Sequence, residues 1–241
     1  MSTNKSPAAS DRISSGNEIL DRKLGGGLRP GSLLAIRAPP ASQSEALLYT
    51  LMEPYSTLFI SAIRRESAVQ HDLERITRPE ADVEVASIVS EANMDSELVK
   101  EITGGESLTP GLTSKNTTLE ETYELIQSVD SQTNVVLDSV TPLERSGEEM
   151  KYQTVLNELK DTVIEASGLG ILHCIDTDDR PTLRERTLAI ADIIWTVEPL
   201  VKSKEQKYHL EVSKNRGGNI VQEPIELTLD RAVRIDDTRN I

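Results

Sequence analysis

The chain is short of several residue types, and each shortage excludes something. It has one cysteine in 241 residues, Cys174, so no intramolecular disulfide can form. With three histidines far apart, it also lacks the Cys/His cluster that would hold zinc. Aromatic residues make up 3%, with one tryptophan and one phenylalanine, which argues against a stacking platform for nucleic-acid bases. No apolar run is long enough to span a membrane, and no secretory or lipidation signal is evident, so the chain reads as soluble and cytoplasmic. Basic residues are outnumbered, 26 against 40 acidic, for a net charge of −14. Bulk charge therefore opposes non-specific nucleic-acid binding, which would need a local basic patch. Lysine is scarce beside arginine, 10 against 16. Such a composition fits a salt-loving organism and equally an ordinary acidic cytosolic protein.

What is present suits an α/β chain. Met1 to about Asp11 is polar and small, and reads as a disordered tail. In "ISSGNEILDRKLGGGLRPGS", Leu20 and Leu24 share a helix face, "GGG" ends the helix and "RPGS" turns the chain. "LLAIRA" is a buried strand, followed by a loop and a helix from about Ser44 to Glu53. Strands follow at 56–63, 82–89, 133–140, 168–176 and in "ADIIWTVE". Helical patterns fall between them: "AVQHDLERI", "DSELVKEI", "TLEETYELIQSV", "MKYQTVLNELKDTVIEAS" and about Thr182 to Ala189. The C-terminal stretch from "KYHLEV" reads as strands joined by turns. The polar segment 103–118 is the expected mobile loop. This alternation predicts a mainly parallel sheet with helices on both faces.

The loop "APPASQSE" sits where a strand turns into a helix, the usual place of a phosphate-binding loop, yet it has no glycine and no lysine. In G-x-x-x-x-G-K-[ST], glycines let backbone N–H groups curl around phosphate, the lysine reaches the β- and γ-phosphates, and the hydroxyl holds Mg²⁺. Here Ala38 and Gln43 stand at the glycine positions, Ser44 at the lysine and Glu45 at the hydroxyl. Loss of the lysine removes a charge-assisted contact worth ~1.5–3 kcal/mol. A carboxylate ~4 Å from a phosphate charge adds ~4 kcal/mol of repulsion at an effective dielectric of about 20. Half that sum weakens binding by roughly two orders of magnitude. "SQSE" also has capping-box spacing, in which Ser42 accepts from the Glu45 N–H and Glu45 reaches back to the N–H of Ser42. The expectation is a helix N-terminus that caps itself instead of holding an anion.

Four features stand in a definite order: "RISSGNEILDRKLGGGLRPGSLLAI", the loop, the strand "NVVLDS" and the late "LEVSKNRGG". Together they resemble the RecA/RadA/KaiC superfamily, closest to its archaeal KaiC-like group, with a degenerate Walker A loop. The resemblance runs from about Arg12 to the C-terminus. It implies a single RecA-like P-loop NTPase fold over 12–241, α/β, with a mainly parallel sheet and antiparallel strands at the C-terminal end. It makes Ala38, Ser42, Gln43, Ser44, Glu45, Asp138 and Ser139 a vestigial nucleotide site, with Asp138 at the Mg²⁺-coordinating position. Relatives carry a water-positioning glutamate where this chain has Ile63 and Arg64. Glu66 is displaced from that position, which leaves no general base. Lys214 and Arg216 match residues that reach a neighbour's γ-phosphate in oligomeric relatives, and a solvated basic turn is the plainer reading.

Other residues carry less. His173 and Cys174 lie in a buried strand, His71 on a charged helix, and Trp195 alternates inside a strand as a core residue would. No serine, histidine and acid arrangement stands out, so a hydrolase triad is unsupported. The expected function is a non-catalytic KaiC/RadA-like domain, a regulatory or scaffolding subunit acting through protein contacts. It is expected to need no ATP, Mg²⁺ or other cofactor, and to partner copies of itself or a paralogue. The alternatives are a modulator of DNA recombination or single-stranded DNA binder, using Arg64, Arg65 and Arg216, and an atypical ATPase that depends on Asp138.

Overall fold

In a computed structural model, residues 12–52, 55–76, 82–89, 118–200, 207–219, 221–230 and 232–235 are described. The tail at 1–11, the helix expected in "DSELVKEI" and the segment 103–117 lie outside them. The first helix, α1 (Glu18–Leu24), starts at Asn17, whose side chain accepts from the Ile19 and Leu20 N–H groups. It ends at Gly25, held at φ 82°, a left-handed conformation that lacks a steric penalty only without a Cβ.

The chain then runs through β1 (Ser32–Ala38), α2 (Glu45–Met52), β2 (Ser56–Ser61), α3 (Glu66–Ile76) and β3 (Val83–Ser87). After α4 (Thr118–Gln127) come β4 (Thr133–Asp138), a short α5 (Thr141–Glu144), α6 (Glu149–Glu165), β5 (Leu169–Ile175) and α7 (Arg184–Ile190). Strands β6 (Ile193–Pro199), β7 (Lys207–Asn215), β8 (Ile225–Leu229) and β9 (Val233–Ile235) finish the described chain. All nine strands form one sheet in the order β3-β2-β4-β5-β1-β6-β7-β8-β9. The first six in that order pair in parallel, and β6 to β9 pair antiparallel. The parallel part is the one the alternating pattern predicts, and the antiparallel part is the C-terminal stretch read as strands joined by turns.

The inner strands read as continuous apolar runs because both of their faces are covered. Residues two apart share a face. Leu34, Ile36, Val136, Leu169 and Ile171 pack with Leu47, Leu48 and Leu51 of α2 and with Leu20 and Leu24 of α1. Leu33, Ala35, Val135, Leu137 and Leu172 pack on the opposite face with Tyr152, Leu156 and Leu159 of α6. Trp195 lies in the first of these layers and is fully buried, as its place in an alternating strand predicts. Among the described residues, no helix is long and apolar enough to cross a membrane.

Candidate functional site at the strand ends

In open parallel sheets, ligands bind in the crevice beyond the carboxyl ends of the strands. Here β5 lies between β1 and β4, so the loop that leaves β1 meets the end of β4 across β5. Asp138, the last residue of β4, shares a face with Val136, and His173 of β5 shares one with Ile171. Both therefore point to the side that α2 covers. Register then places Asp138 beside His173.

The result is a continuous buried chain of polar groups. His173 Nδ1 lies 2.7 Å from Asp138 Oδ1, and His173 Nε2 lies 2.8 Å from Ser44 Oγ. The other Asp138 oxygen, Oδ2, accepts from Arg64 Nη2 at 2.7 Å, and Arg64 Nη1 donates to Asp72 at 3.0 Å. Asp138 is 0% exposed, His173 1% and Ser44 3%. An ionised carboxylate only accepts, so Nδ1 carries a proton; in the neutral ring Nε2 then has a lone pair, to which the Ser44 hydroxyl donates. Burial pushes the Asp138 carboxyl up, but the hydrogen bond from His173 and the charge and hydrogen bond of Arg64 outweigh it and hold it below the ordinary carboxylate range.

The structure thus brings Ala38, Ser42, Ser44, Asp138 and Ser139 to one buried place. Ser139, joined to Asp138 by a cis peptide bond, donates through Oγ to the carbonyl of His173 at 2.8 Å. Two readings of the sequence need correction. The first is the capping box. Gln43 takes a left-handed conformation, φ 54°, and α2 begins only at Glu45, so Ser42 sits too early to cap it. The Ser42 hydroxyl instead donates back to the Pro39 carbonyl at 2.7 Å. The second is the absence of a serine, histidine and acid arrangement, since Ser44, His173 and Asp138 form one. His173 was the residue missed. The parity of "GILHC" puts it on the same face as Ile171, but its neighbours come from the end of a strand 35 residues away and from a loop 129 residues away in sequence.

Where relatives are expected to place a water-positioning glutamate, Ile63 is 42% exposed and Arg64 turns inward to Asp138. Glu66 opens α3 at the surface and accepts from Gln70 Nε2 at 2.8 Å. Lys214 and Arg216 lie elsewhere. The Arg216 N–H bonds the Asp192 carbonyl, and the Asp192 N–H bonds that of Leu33, roughly 16 Å back along β1 from Ala38. Lys214 Nζ donates to the Leu188 and Ala189 carbonyls at the end of α7. Arg216 pairs with Asp192 at 3.2 Å but remains largely exposed, and Asp192 also accepts from Lys160 Nζ at 2.6 Å. Within one chain, the basic pair and the loop are therefore at opposite ends of the strands.

Cys174 points to the other face of β5, into the layer under α6. Burial pushes its thiol far above the usual range, so it is held as an unreactive thiol. Native protein is expected to react with maleimide at least about a thousandfold more slowly than the urea-unfolded chain, because opening must precede reaction. Comparable rates would remove Cys174 from the core. Among the described residues, no group of three or more His, Cys, Asp and Glu side chains is placed to hold a metal ion.

Comparison with known proteins adds a family and a fold. A family model described as "Family of unknown function (DUF7125)" matches residues 12–241. No curated protein matches the chain. Among solved structures, a KaiC-like protein from the hyperthermophilic archaeon Pyrococcus horikoshii OT3 is similar, with a TM-score of 0.65 and 14% identity. The alignment covers 93% of this chain and 98% of that one. At that identity the likeness speaks for the fold, which is RecA-like of the KaiC type.

Proposed function

We propose, from the premise that this chain belongs to the family of unknown function DUF7125, that it is a KaiC-type RecA-fold protein that works without nucleotide. Its role is that of a regulatory or scaffolding subunit acting through protein contacts. The observation that carries this reading is the occupation of the strand-end site by the protein's own side chains. Ser44, at the lysine position of the loop, is bound to His173, and the acid at the metal position, Asp138, is neutralised by Arg64 and bound to His173. A nucleotide would have to break three buried polar contacts there and meet no lysine. Leaving each of those partners unsatisfied costs about 1–3 kcal/mol.

The test is calorimetry with ATP and ADP in the presence of Mg²⁺, in low and in molar salt. No heat at millimolar nucleotide is expected. Micromolar binding would overturn the reading and put an atypical ATPase in its place. Protein contact is tested separately by light scattering of the purified chain and by pull-down with its paralogues. A strictly monomeric chain that captures none of them would remove the scaffolding role. The reading as a DNA binder loses one of its three arginines, because Arg64 is committed to Asp138.

A further inference from the structure

We propose that Ser44 is an activated nucleophile, with His173 as its general base and Asp138 as the positioning residue, and that it reacts with acyl electrophiles such as esters. This goes beyond nucleotide independence and does not rest on it. Calorimetry reads nucleotide affinity and covalent labelling reads hydroxyl reactivity, so either can fail without the other.

Three observations meet at this position. First, the distances from Ser44 Oγ to His173 Nε2, 2.8 Å, and from His173 Nδ1 to Asp138, 2.7 Å, are those of a nucleophile, a base and an orienting acid. Because Asp138 fixes the tautomer, the ring nitrogen facing Ser44 is the one that accepts a proton. Second, Ser44 sits in a sharp strand-to-helix turn, immediately after left-handed Gln43 and immediately before α2. That places its hydroxyl at the carboxyl ends of the parallel strands, beside the positive end of a helix dipole. Third, the backbone N–H groups of Ser44 and Glu45 have no acceptor among the described residues. Donors beside the nucleophile at a helix start are what a developing oxyanion requires.

The step balances without any outside oxidant or reductant. Ser44 Oγ attacks the carbonyl carbon of an ester as its proton passes to His173 Nε2. The C–O bond to the alcohol breaks, and His173 returns the proton to the departing alkoxide. Water then repeats the sequence on the Ser44 ester, releasing the acid and restoring the hydroxyl. Arg64 holds the second Asp138 oxygen and keeps that carboxyl ionised throughout.

Access is governed by the loop. Ser44 is 3% exposed, and a layer of loop just before it in sequence, with Pro40, Ala41 and Gln43, faces solvent. The Ser42 hydroxyl ties that layer down through the Pro39 carbonyl. The loop therefore acts as a cover, and loosening it exposes the nucleophile.

The experiment treats the full chain with an alkyl fluorophosphonate, follows the adduct by intact mass and locates it by peptide mapping. Here the Ser44 O–P bond forms, the P–F bond breaks and the proton leaves with fluoride. One adduct on Ser44 is expected, absent in Ser44→Ala. The rate should fall by roughly 100-fold or more in His173→Gln. It should be unchanged in His71→Gln, whose ring is on the surface of α3. Ser42→Ala, which frees the loop but leaves Ser44, His173 and Asp138 untouched, should label about two- to tenfold faster. A purely structural hydrogen bond would give none of these rates. No adduct on the wild type, an adduct on another serine, or equal rates in wild type and folded His173→Gln each overturn the proposal. Should His173→Gln fail to fold, the mapped site in the wild type and the Ser42→Ala rate decide it.

Discussion

Arg184→Ala is expected to lower the unfolding free energy by about 3–5 kcal/mol, the range for leaving one member of a buried ion pair without its partner. Arg184 opens α7 and is 1% exposed, and Glu144 at the end of α5 is 0% exposed. Arg184 Nε lies 2.8 Å from both Glu144 oxygens. Its Nη1 donates to Asp176, and its Nη2 to the Ile175 carbonyl at 3.1 Å and to Thr141 Oγ1 at 3.2 Å. Thr187 donates to Glu144 and is 2.6 Å from the Tyr152 hydroxyl. One guanidinium therefore joins α7 to α5 and the end of β5, and Thr187 extends the network to Tyr152 of α6. For a domain stable by about 5–15 kcal/mol, the loss is roughly a fifth or more. Urea denaturation measures it, with the far-ultraviolet circular dichroism signal as readout.

The pH dependence of the same variant identifies the cause. Burial pushes the Glu144 carboxyl above its usual range, while Thr187 and Arg184 pull it back. Without Arg184 it rises further. A carboxyl raised in the folded state favours folding below its unfolded value, about 4.3, and that advantage is lost as pH rises through the folded value. The deficit of Arg184→Ala should therefore shrink on acidification. Replacing both partners, Arg184→Met with Glu144→Leu, should be near neutral, because no charge is stranded. If the double variant were as unstable as the single one, the loss would lie in packing rather than in charge.

Arg64→Ala is expected to cost about 3 kcal/mol, the lower end of the range for a broken buried pair, because a quarter of the Arg64 side chain is in water. Its pH dependence has the opposite sign. The folded Asp138 carboxyl lies below its unfolded value, so its contribution is present above about pH 3.9 and is lost as pH falls through the folded value. The gap between wild type and Arg64→Ala should hold steady above about pH 5 and close as acid protonates Asp138. A gap independent of pH would assign the loss to the stem of Arg64 rather than to its charge. The variant also bears on the site, because it leaves His173 as the remaining partner of a buried carboxylate.

Much of the fold was legible in the sequence because it is local. The run "SLLAIRA" is apolar at successive positions, as a strand covered on both faces must be, and β1 forms there. Gly25 follows Leu24 where a left-handed residue is needed, and α1 ends there. The loop "APPASQSE" could be read in the same local way as one that holds neither glycine nor lysine. The alternation of strands and helices implied the parallel sheet, because parallel neighbours need crossovers of that length.

What filled the site was decided by the tertiary structure. The sequence places Ser44, Asp138 and His173 on three separate segments and says nothing of the strand order that sets β5 between β1 and β4. A capping box between Ser42 and Glu45 satisfied local spacing, yet the left-handed turn at Gln43 moved the helix start and turned Ser42 back to Pro39. Hydrogen bonds between neighbours in sequence depend on dihedral angles that a few residues settle. Those between Ser44, His173 and Asp138 depend on register across three strands, which the burial of whole apolar faces settles. The residues could be read one by one, but their meeting could not.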